Sequence, residues 1–180
     1  MTDRFINTVT EPSSLRRALG SWLAAELLHL QASRAGTIRL ITPWLSDVPV
    51  ASVGPSWLGV APSSVRPVRT VLDLLGAYAR QGGDVAILIR EVPGDRTTRR
   101  TADILGHWDA RRHPRVTIKS STAEHAKIWV GQRLAFFGSS NMTEGGLGVN
   151  KELMEVTDNQ DRIARLASEA DVFLGSSKVR

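Results

Sequence analysis

The sequence has no cysteine, few lysines and no long apolar run. Without cysteine, the 180-residue chain lacks thiolate nucleophiles, cysteine-ligated zinc or iron–sulfur sites and disulfides. No apolar run approaches the ~18 residues of a membrane span, and residues 1–11 lack the basic and apolar regions of a secretory signal. We therefore expect a cytoplasmic protein that has no membrane partner and that uses chemical groups other than thiols.

The chain is basic because of its arginines. It has 23 basic and 18 acidic residues, a formal net charge of +5, and 19 of the 23 basic residues are arginines. The planar guanidinium binds phosphate oxygens in pairs and stays charged, so this composition favours a polyanionic partner. Hydrophobic residues at 42% and charged residues at 23% are typical of a packed domain. We expect a single domain over 1–180, with an N-terminal tail at 1–12.

Helical and strand-like patterns alternate along the chain. Apolar residues recur at helical spacing after Ser13 or Ser14, and β-branched runs bounded by glycine and proline predict strands. The predicted helices are 13–34, 68–80 and 95–111, and the predicted strands that accompany them are 37–41, 85–89 and 116–118. This alternation indicates a layered α/β domain whose sheet is mainly parallel.

Two regions outside these elements are candidates for substrate contact. The loop 48–67 is rich in proline, glycine and serine, and loops of this length are either functional lids or mobile segments. Its Trp57 either stacks on a nucleobase or pins the loop to the domain. Arg96, Arg99 and Arg100 in the third helix form either a phosphate-binding surface or a solvated face with ion pairs inside the helix.

The segment from residue 121 onward carries most of the polar side chains that could perform chemistry. His125 and Lys127 lie two residues apart on a predicted strand, so they project from the same face. A two-residue turn at 131–132 would place His125 opposite Gly138, whose missing side chain leaves room for a bound group. The run Ser139-Ser140-Asn141 then emerges beside the imidazole.

These residues together provide the groups needed to attack a phosphorus centre without a metal. His125 is a nucleophile or an acid and base, Lys127 is a fixed cation, and residues 139–141 supply hydroxyl and amide donors. Glu152, at the start of the following strand, could accept the imidazole N–H and fix the tautomer and orientation of the ring.

The same segments resemble the phospholipase D superfamily, whose HKD motif is HxKxxxxD followed by GSxN and a trailing NxE. The matching segments are His125-Ala-Lys127, Gly138-Ser-Ser-Asn141 and Asn150-Lys-Glu152. The strand that ends in Ile41-Thr-Pro43-Trp44 is similar to the first strand of that family, so the resemblance covers residues 13–175. Gln132 occupies the position of the motif aspartate, which is usually regarded as structural, and the gap to GSSN is one residue shorter.

The resemblance implies a fold, a reaction and residue roles. The fold is an α/β/α sandwich with a mixed, mainly parallel sheet, and the reaction is phosphodiester cleavage through a phosphohistidine without metal or cofactor. His125 is then nucleophile or general acid, Lys127 and Asn141 bind phosphate oxygens, Ser139 donates to phosphate or histidine, and Glu152 orients an imidazole. Ser140 joins the residues expected to contact substrate, together with Trp57, Arg96, Arg99 and Arg100.

The reaction needs two HKD motifs, and this chain has one, because His29, His107 and His113 lack a lysine two residues later. We therefore expect a homodimer with a shared site. The favoured function is a nuclease, with DNA preferred over RNA, in a restriction, defence or repair system with a companion helicase or defence protein. The alternatives are a nucleic-acid-binding module with a decayed site and, less favoured, a phospholipase or lipid phosphotransferase.

Overall fold

The computed structural model describes residues 4–8, 11, 13–50, 70–108, 113 and 115–179. Trp57 and most of the predicted loop 48–67 lie outside the described residues. Within them the chain forms eight strands and five helices, in this order: β1 Arg4–Asn7, α1 Ser14–Ser33, β2 Thr37–Ile41, α2 Val71–Arg80, β3 Asp84–Arg90, α3 Arg96–His107, β4 Val116–Ser121, β5 Ile128–Val130, β6 Ala135–Gly138, α4 Glu144–Gly148, β7 Leu153–Thr157, α5 Gln160–Gly175 and β8 Lys178–Val179.

The strands form one mixed sheet in the order β1-β7-β6-β5-β2-β3-β4-β8. The β2–β3 and β3–β4 pairs are parallel, and the other five described pairs are antiparallel. The layered α/β fold and the mixed sheet are confirmed, but the expectation of a mainly parallel sheet is wrong. Strands β5 and β6 are joined by four residues, and so short a connection can join only antiparallel neighbours.

Helices cover both faces of the sheet, as expected for a three-layer sandwich. One face packs against α1 and α2, and each of the six apolar residues predicted for the stripe of α1 is buried there: Leu15, Leu19, Trp22, Leu23, Leu27 and Leu30. The other face packs against α5 through a second apolar cluster that includes Ile41, Leu88 and Ile128. Because successive side chains of a strand point to opposite faces of the sheet, each strand contributes residues to two separate cores.

The β5–β6 hairpin differs from its predicted register. Four residues, 131–134, connect the strands in place of the predicted two. Lys127, rather than His125, consequently lies opposite Gly138, whose N–H donates to the Lys127 carbonyl oxygen at 3.2 Å. A displacement of two residues keeps every side chain on its own face, so the shared face of His125 and Lys127 is preserved.

Gly138 is required by the neighbouring strand and not by a ligand. A Cβ atom at this position would lie 2.3 Å from the carbonyl oxygen of Leu153 in β7. The prediction that Gly138 leaves room for a bound group beside the imidazole is therefore wrong, because the backbone of β7 occupies that space.

Candidate active site

The candidate site lies at one edge of the sheet, where strand ends of opposite direction meet. Strands β2, β3, β4 and β6 end at this edge, and β5 and β7 begin there. The edge therefore gathers Trp44 after β2, Thr122 after β4, Lys127 before β5, Ser139 after β6 and Glu152 before β7. Ligands of open α/β sheets bind outside the carboxyl ends of the parallel strands, which is this edge.

His125 and Lys127 are in direct contact. Both lie in the segment 122–127, just before β5 and not within the strand itself. The Lys127 Nζ atom lies 2.8 Å from His125 Nδ1 and 2.7 Å from the His125 carbonyl oxygen. The lysine side chain is buried while the histidine is exposed. The cation therefore sits under an imidazole whose outer edge faces solvent.

This contact defines where the imidazole carries its proton. A charged ammonium group can only donate hydrogen bonds, so Nδ1 of His125 must accept one from Lys127. A neutral ring that accepts at Nδ1 carries its proton on Nε2. As it stands in this chain, neutral His125 presents an Nε2–H hydrogen-bond donor to the site, and it becomes a general acid only when Nδ1 is protonated as well.

The environment of Lys127 acts on its charge in two opposite ways. Burial lowers the pKa of Lys127 below its ordinary value, and the nearby carboxylates of Glu152 and Glu124 offset part of that shift. A partly desolvated cation is well suited to bind a phosphate oxygen, because water competes less for it.

Glu124 orders the backbone of the histidine segment. Its buried carboxylate accepts from the backbone N–H of His125 at 2.9 Å and of Ala126 at 2.6 Å. This residue was not singled out from the sequence, because a glutamate before a loop residue has no distinctive spacing. The carboxylate holds the main chain of the HxK segment and, through its charge, supports Lys127.

Ser139 and Glu152 form a second pair at the same edge. The Ser139 hydroxyl donates to Glu152 Oε2 in a short contact, and the Leu153 N–H donates to the Ser139 hydroxyl at 3.1 Å. Asn150 Nδ2 lies 3.4 Å from Glu152 Oε1. Within one chain Glu152 therefore orients Ser139, and the predicted bond from an imidazole to Glu152 is not among its contacts.

The two remaining residues of the GSSN segment face in different directions. Ser140 is fully buried, and its hydroxyl donates to the Gly146 carbonyl at 2.8 Å and lies 3.1 Å from the Asn141 carbonyl. Its hydroxyl is therefore occupied by the loop rather than open to a substrate. Asn141 is half-buried, and its Oδ1 has no partner among the described residues. Rotation of that amide exchanges its oxygen and nitrogen, so this position suits an N–H donor to a bound oxygen.

Trp44 forms the wall of the site beside the imidazole. Its ring meets His125 edge-on, with ring centroids 6.5 Å apart and an interplanar angle of 75°. Its buried indole N–H has no hydrogen-bond partner in the described part of the chain. The side chain limits the rotation of the imidazole and leaves one donor free at the edge.

The turn after β5 is held by a carboxylate that the sequence did not reveal. Glu26 in α1 is fully buried and accepts from the backbone N–H of Gln132 and Arg133, each at 2.8 Å, and from the Trp22 indole N–H at 3.1 Å. The signal in the sequence was a glutamate on the apolar stripe, four residues after a tryptophan. Gln132, which replaces the motif aspartate, thus lies in a turn that already has a carboxylate.

The predicted arginines do not all lie in one place. Arg96 and Arg99 line a cavity at the same sheet edge, whereas Arg100, also exposed on α3, does not line it. Across the described ranges, no group of three or more histidine, aspartate or glutamate side chains could hold a metal ion. None of the described helices is both long and apolar enough to cross a membrane.

Solved structures with the same fold are similar over nearly the whole chain. NucT from Helicobacter pylori superposes with a TM-score of 0.65 at 12% identity, covering 99% of each chain. Nuc from Salmonella typhimurium, a phospholipase D family member, gives 0.66 at 14% identity, with 99% of this chain and 97% of that chain covered. TrmBL2, an archaeal chromatin protein, gives 0.54 at 9% identity, with 100% of this chain and 54% of that chain covered. At these identities the likeness establishes the fold.

Comparison with sequence families identifies the group to which the chain belongs. No curated protein sequence matches it. The family model described as "Cardiolipin synthase, PLD-like domain" matches residues 57–173, which is more than half of the chain and includes the HxK, GSSN and NxE segments. Such membership supports phosphodiesterase chemistry in general and does not specify a substrate. The chain therefore belongs to the phospholipase D-like domain family, as the motif predicts.

Proposed function

We propose that this protein is a metal-independent nuclease that hydrolyses phosphodiester bonds of DNA or RNA at a site shared by two copies of the chain. The observation that carries the proposal is the contact between Lys127 Nζ and His125 Nδ1, which places a cation under an exposed imidazole. Asn141 and Ser139 stand at the same edge and complete the set of groups for phosphate oxygens.

The proposed reaction has two displacements at phosphorus. In the first, Nε2 of one His125 forms a bond to phosphorus while the bond to the leaving oxygen breaks, and the partner's His125, as an imidazolium, gives its Nε2 proton to that oxygen and becomes neutral. In the second, water attacks phosphorus, the P–N bond breaks, and the now unprotonated partner imidazole takes the proton from water. Lys127 and Asn141 stabilise the charge on the equatorial oxygens in both steps.

The proton position explains why one copy is insufficient. An imidazolium, with protons on both nitrogens, can act as the acid but has no lone pair with which to attack phosphorus. The attacking imidazole must carry its proton on Nδ1, which requires loss of the Lys127 contact at that nitrogen. The two roles therefore need two imidazoles in different states, and the chain has a single HxK segment.

Nucleic acid is the favoured substrate because of charge. The net charge of +5 comes from an arginine-rich composition, and Arg96, Arg99 and Arg100 are exposed. The family description names a lipid-synthesising enzyme and TrmBL2 is a DNA-binding chromatin protein, so both substrate classes belong in the test. A companion helicase and a role in restriction, defence or repair stay predictions.

The test compares labelled single- and double-stranded DNA, RNA and anionic phospholipid vesicles, each with EDTA present. The wild-type protein should cleave nucleic acid, and His125→Ala should not. His107→Ala, which removes an exposed histidine of α3, is the matched control and should cleave normally. Binding without cleavage by the wild type would instead favour the module with a decayed site, and release of a lipid headgroup would favour the phospholipase.

The shared site has a separate test that depends on mixing. Wild-type protein and His125→Ala protein are combined in equal amounts and allowed to exchange subunits. If each site needs both imidazoles, the activity per site should fall to about a quarter of that of the pure wild-type protein, because only dimers with two wild-type copies are active. A value of about one half, or a purely monomeric species in sedimentation with activity intact, would contradict the shared site.

A further inference from the structure

A second polar cavity lies at the same sheet edge as the candidate site. It has a volume of about 940 Å³ and lies between the start of α3, the ends of β3 and β4, and the segment 176–178. Its cationic lining consists of Arg96, Arg99 and Lys178, and hydroxyl groups come from serine and threonine residues of all three walls. We call it the α3–β4 cavity.

The cations of the α3–β4 cavity are available to a ligand. Among the described residues, Arg96, Arg99 and Lys178 take part in none of the ion pairs. Lys178 is fixed at the cavity because β8 pairs with β4, which places it opposite Ser120. The Ser176 and Ser177 hydroxyls already donate to the Phe173 carbonyl. Three cations around one cavity, with the hydroxyl groups at the end of β4, match the chemistry of a phosphate group.

Two carboxylates also line the cavity, and they differ in their bonding. Asp95 caps α3, accepting from the Thr97 N–H at 2.8 Å, and this backbone bond lowers the pKa of Asp95. Its charge is therefore directed to the helix. Glu91, directly after β3, is the other, so the lining carries three positive and two negative groups. The negative charge of Glu91 opposes anion binding, so its removal offers a test of the sign of the ligand's charge.

The cavity lies close to His125 along the chain. Thr122 lines the cavity and His125 is three residues further on, so their Cα atoms are at most about 11 Å apart. Stacked nucleotides rise about 3.4 Å per step along a strand, so this distance corresponds to about three steps. The Thr122 carbonyl accepts from Arg90 Nε at 3.3 Å, which joins this connection to the end of β3.

We propose that the α3–β4 cavity binds a backbone phosphate of the substrate strand, about two or three nucleotides from the diester that is cleaved at His125. This inference rests on the proposed nuclease function, and it adds a distinct subsite to it. The subsite makes cleavage efficiency depend on strand length, because a dinucleotide reaches His125 but not the cavity.

The experiment measures kcat/KM with EDTA present for a thymidine dinucleotide and for a thymidine decamer. For the wild type the decamer should be the better substrate. The double variant Arg96→Ala/Lys178→Ala should lose about tenfold or more with the decamer and less than about twofold with the dinucleotide. Arg165→Ala is the matched control, since it removes an exposed arginine of α5 outside the cavity, and it should behave as wild type.

Binding separates failure of the subsite from failure of the nuclease proposal. In the His125→Ala background, a fluorescent decamer should bind less tightly when Arg96 and Lys178 are removed, with a salt dependence lower by about one unit of slope per cation. Glu91→Gln should bind it more tightly. If the wild type cleaves nothing but these shifts occur, the nuclease proposal fails and the subsite stands.

Other outcomes would overturn the subsite. Equal losses for Arg165→Ala and the double variant would show a diffuse charged surface. Equal losses with dinucleotide and decamer would place the arginine and lysine at the cleavage site itself. Inorganic phosphate that binds to the same residues as tightly as the decamer would show that the occupant is not a strand.

Discussion

Two buried carboxylates flank strand β5 and make the same kind of bond with different results. Before the strand, Glu124 accepts from two successive backbone N–H groups, those of His125 and Ala126. After the strand, Glu26 accepts from the successive N–H groups of Gln132 and Arg133. The first carboxylate is a neighbour in sequence, whereas the second comes from a helix more than 100 residues away.

The difference lies in what each cluster leaves open. The Glu26 cluster is closed, because a Cβ atom at Gly131 would lie 2.3 Å from Glu26 Oε1 and 2.8 Å from Trp22 Nε1. The Glu124 cluster leaves the His125 imidazole exposed. The closed Glu26 cluster fixes the position of the chain after β5, whereas the open Glu124 cluster holds the backbone of a segment whose reactive side chain is exposed. We therefore expect substitutions in the Glu26 cluster to lower stability and substitutions in the Glu124 cluster to change activity.

The largest expected effect is on activity, at the open cluster. His125→Ala should reduce cleavage by at least about a thousandfold, because it removes the group that attacks phosphorus or protonates the leaving oxygen. The side chain is exposed, so urea unfolding should show a change in the free energy of unfolding within about 0.5 kcal/mol. A large loss of stability would mean that the imidazole has a structural role.

The second effect is on stability, at the closed cluster. Glu26→Ala removes the buried carboxylate that accepts from three donors and should lower the free energy of unfolding by on the order of 3 kcal/mol. The measurement is the urea midpoint at constant slope. Glu144→Ala, which removes an exposed partner of Arg16, is the control and should cost less than about 1 kcal/mol. Equal costs would contradict the closed cluster.

A smaller effect concerns the pH dependence of the open cluster. Activity needs protonated Lys127, so kcat/KM should fall as pH rises through its pKa, which burial holds below the ordinary value. Glu124→Gln keeps an acceptor oxygen but removes a charge that raises this pKa. The alkaline limb of the pH profile should therefore move to lower pH, with kcat/KM at neutral pH within about threefold.

The matched variant for this pH test keeps the cation. In Lys127→Arg the guanidinium stays charged across the range, so whatever activity survives should show no alkaline limb from this position. An unchanged limb in both variants would assign it to another group.

The smallest expected effect is at the turn. Gln132→Asp restores the residue of the family motif, but the N–H groups of Gln132 and Arg133 already donate to Glu26. Cleavage should therefore change by less than about twofold, measured on the same decamer under the same conditions. A gain of tenfold or more would show that Gln132 limits the activity and would favour a decayed site.

Local pattern was sufficient for much of the fold. The α1 stripe and the β2 and β3 strands depend on residues close together in sequence, and each is confirmed in the structure. The family resemblance is confirmed by the match to the family model. The hairpin register was wrong because the length of its turn depends on Glu26, which lies far away in the chain. The role of Gly138 was misassigned because it depends on the distance to β7.

The sequence by itself determined the types of reactive group, their order and their shared face, since alternation along an extended chain is a local property. The tertiary structure decided which groups meet. In the tertiary structure Lys127 contacts the His125 imidazole, and Glu152 accepts from the Ser139 hydroxyl rather than from an imidazole. The Ser140 hydroxyl donates to the Gly146 carbonyl of the loop. Such contacts depend on the packing of strands and helices that are distant in sequence, and no spacing rule encodes those distances.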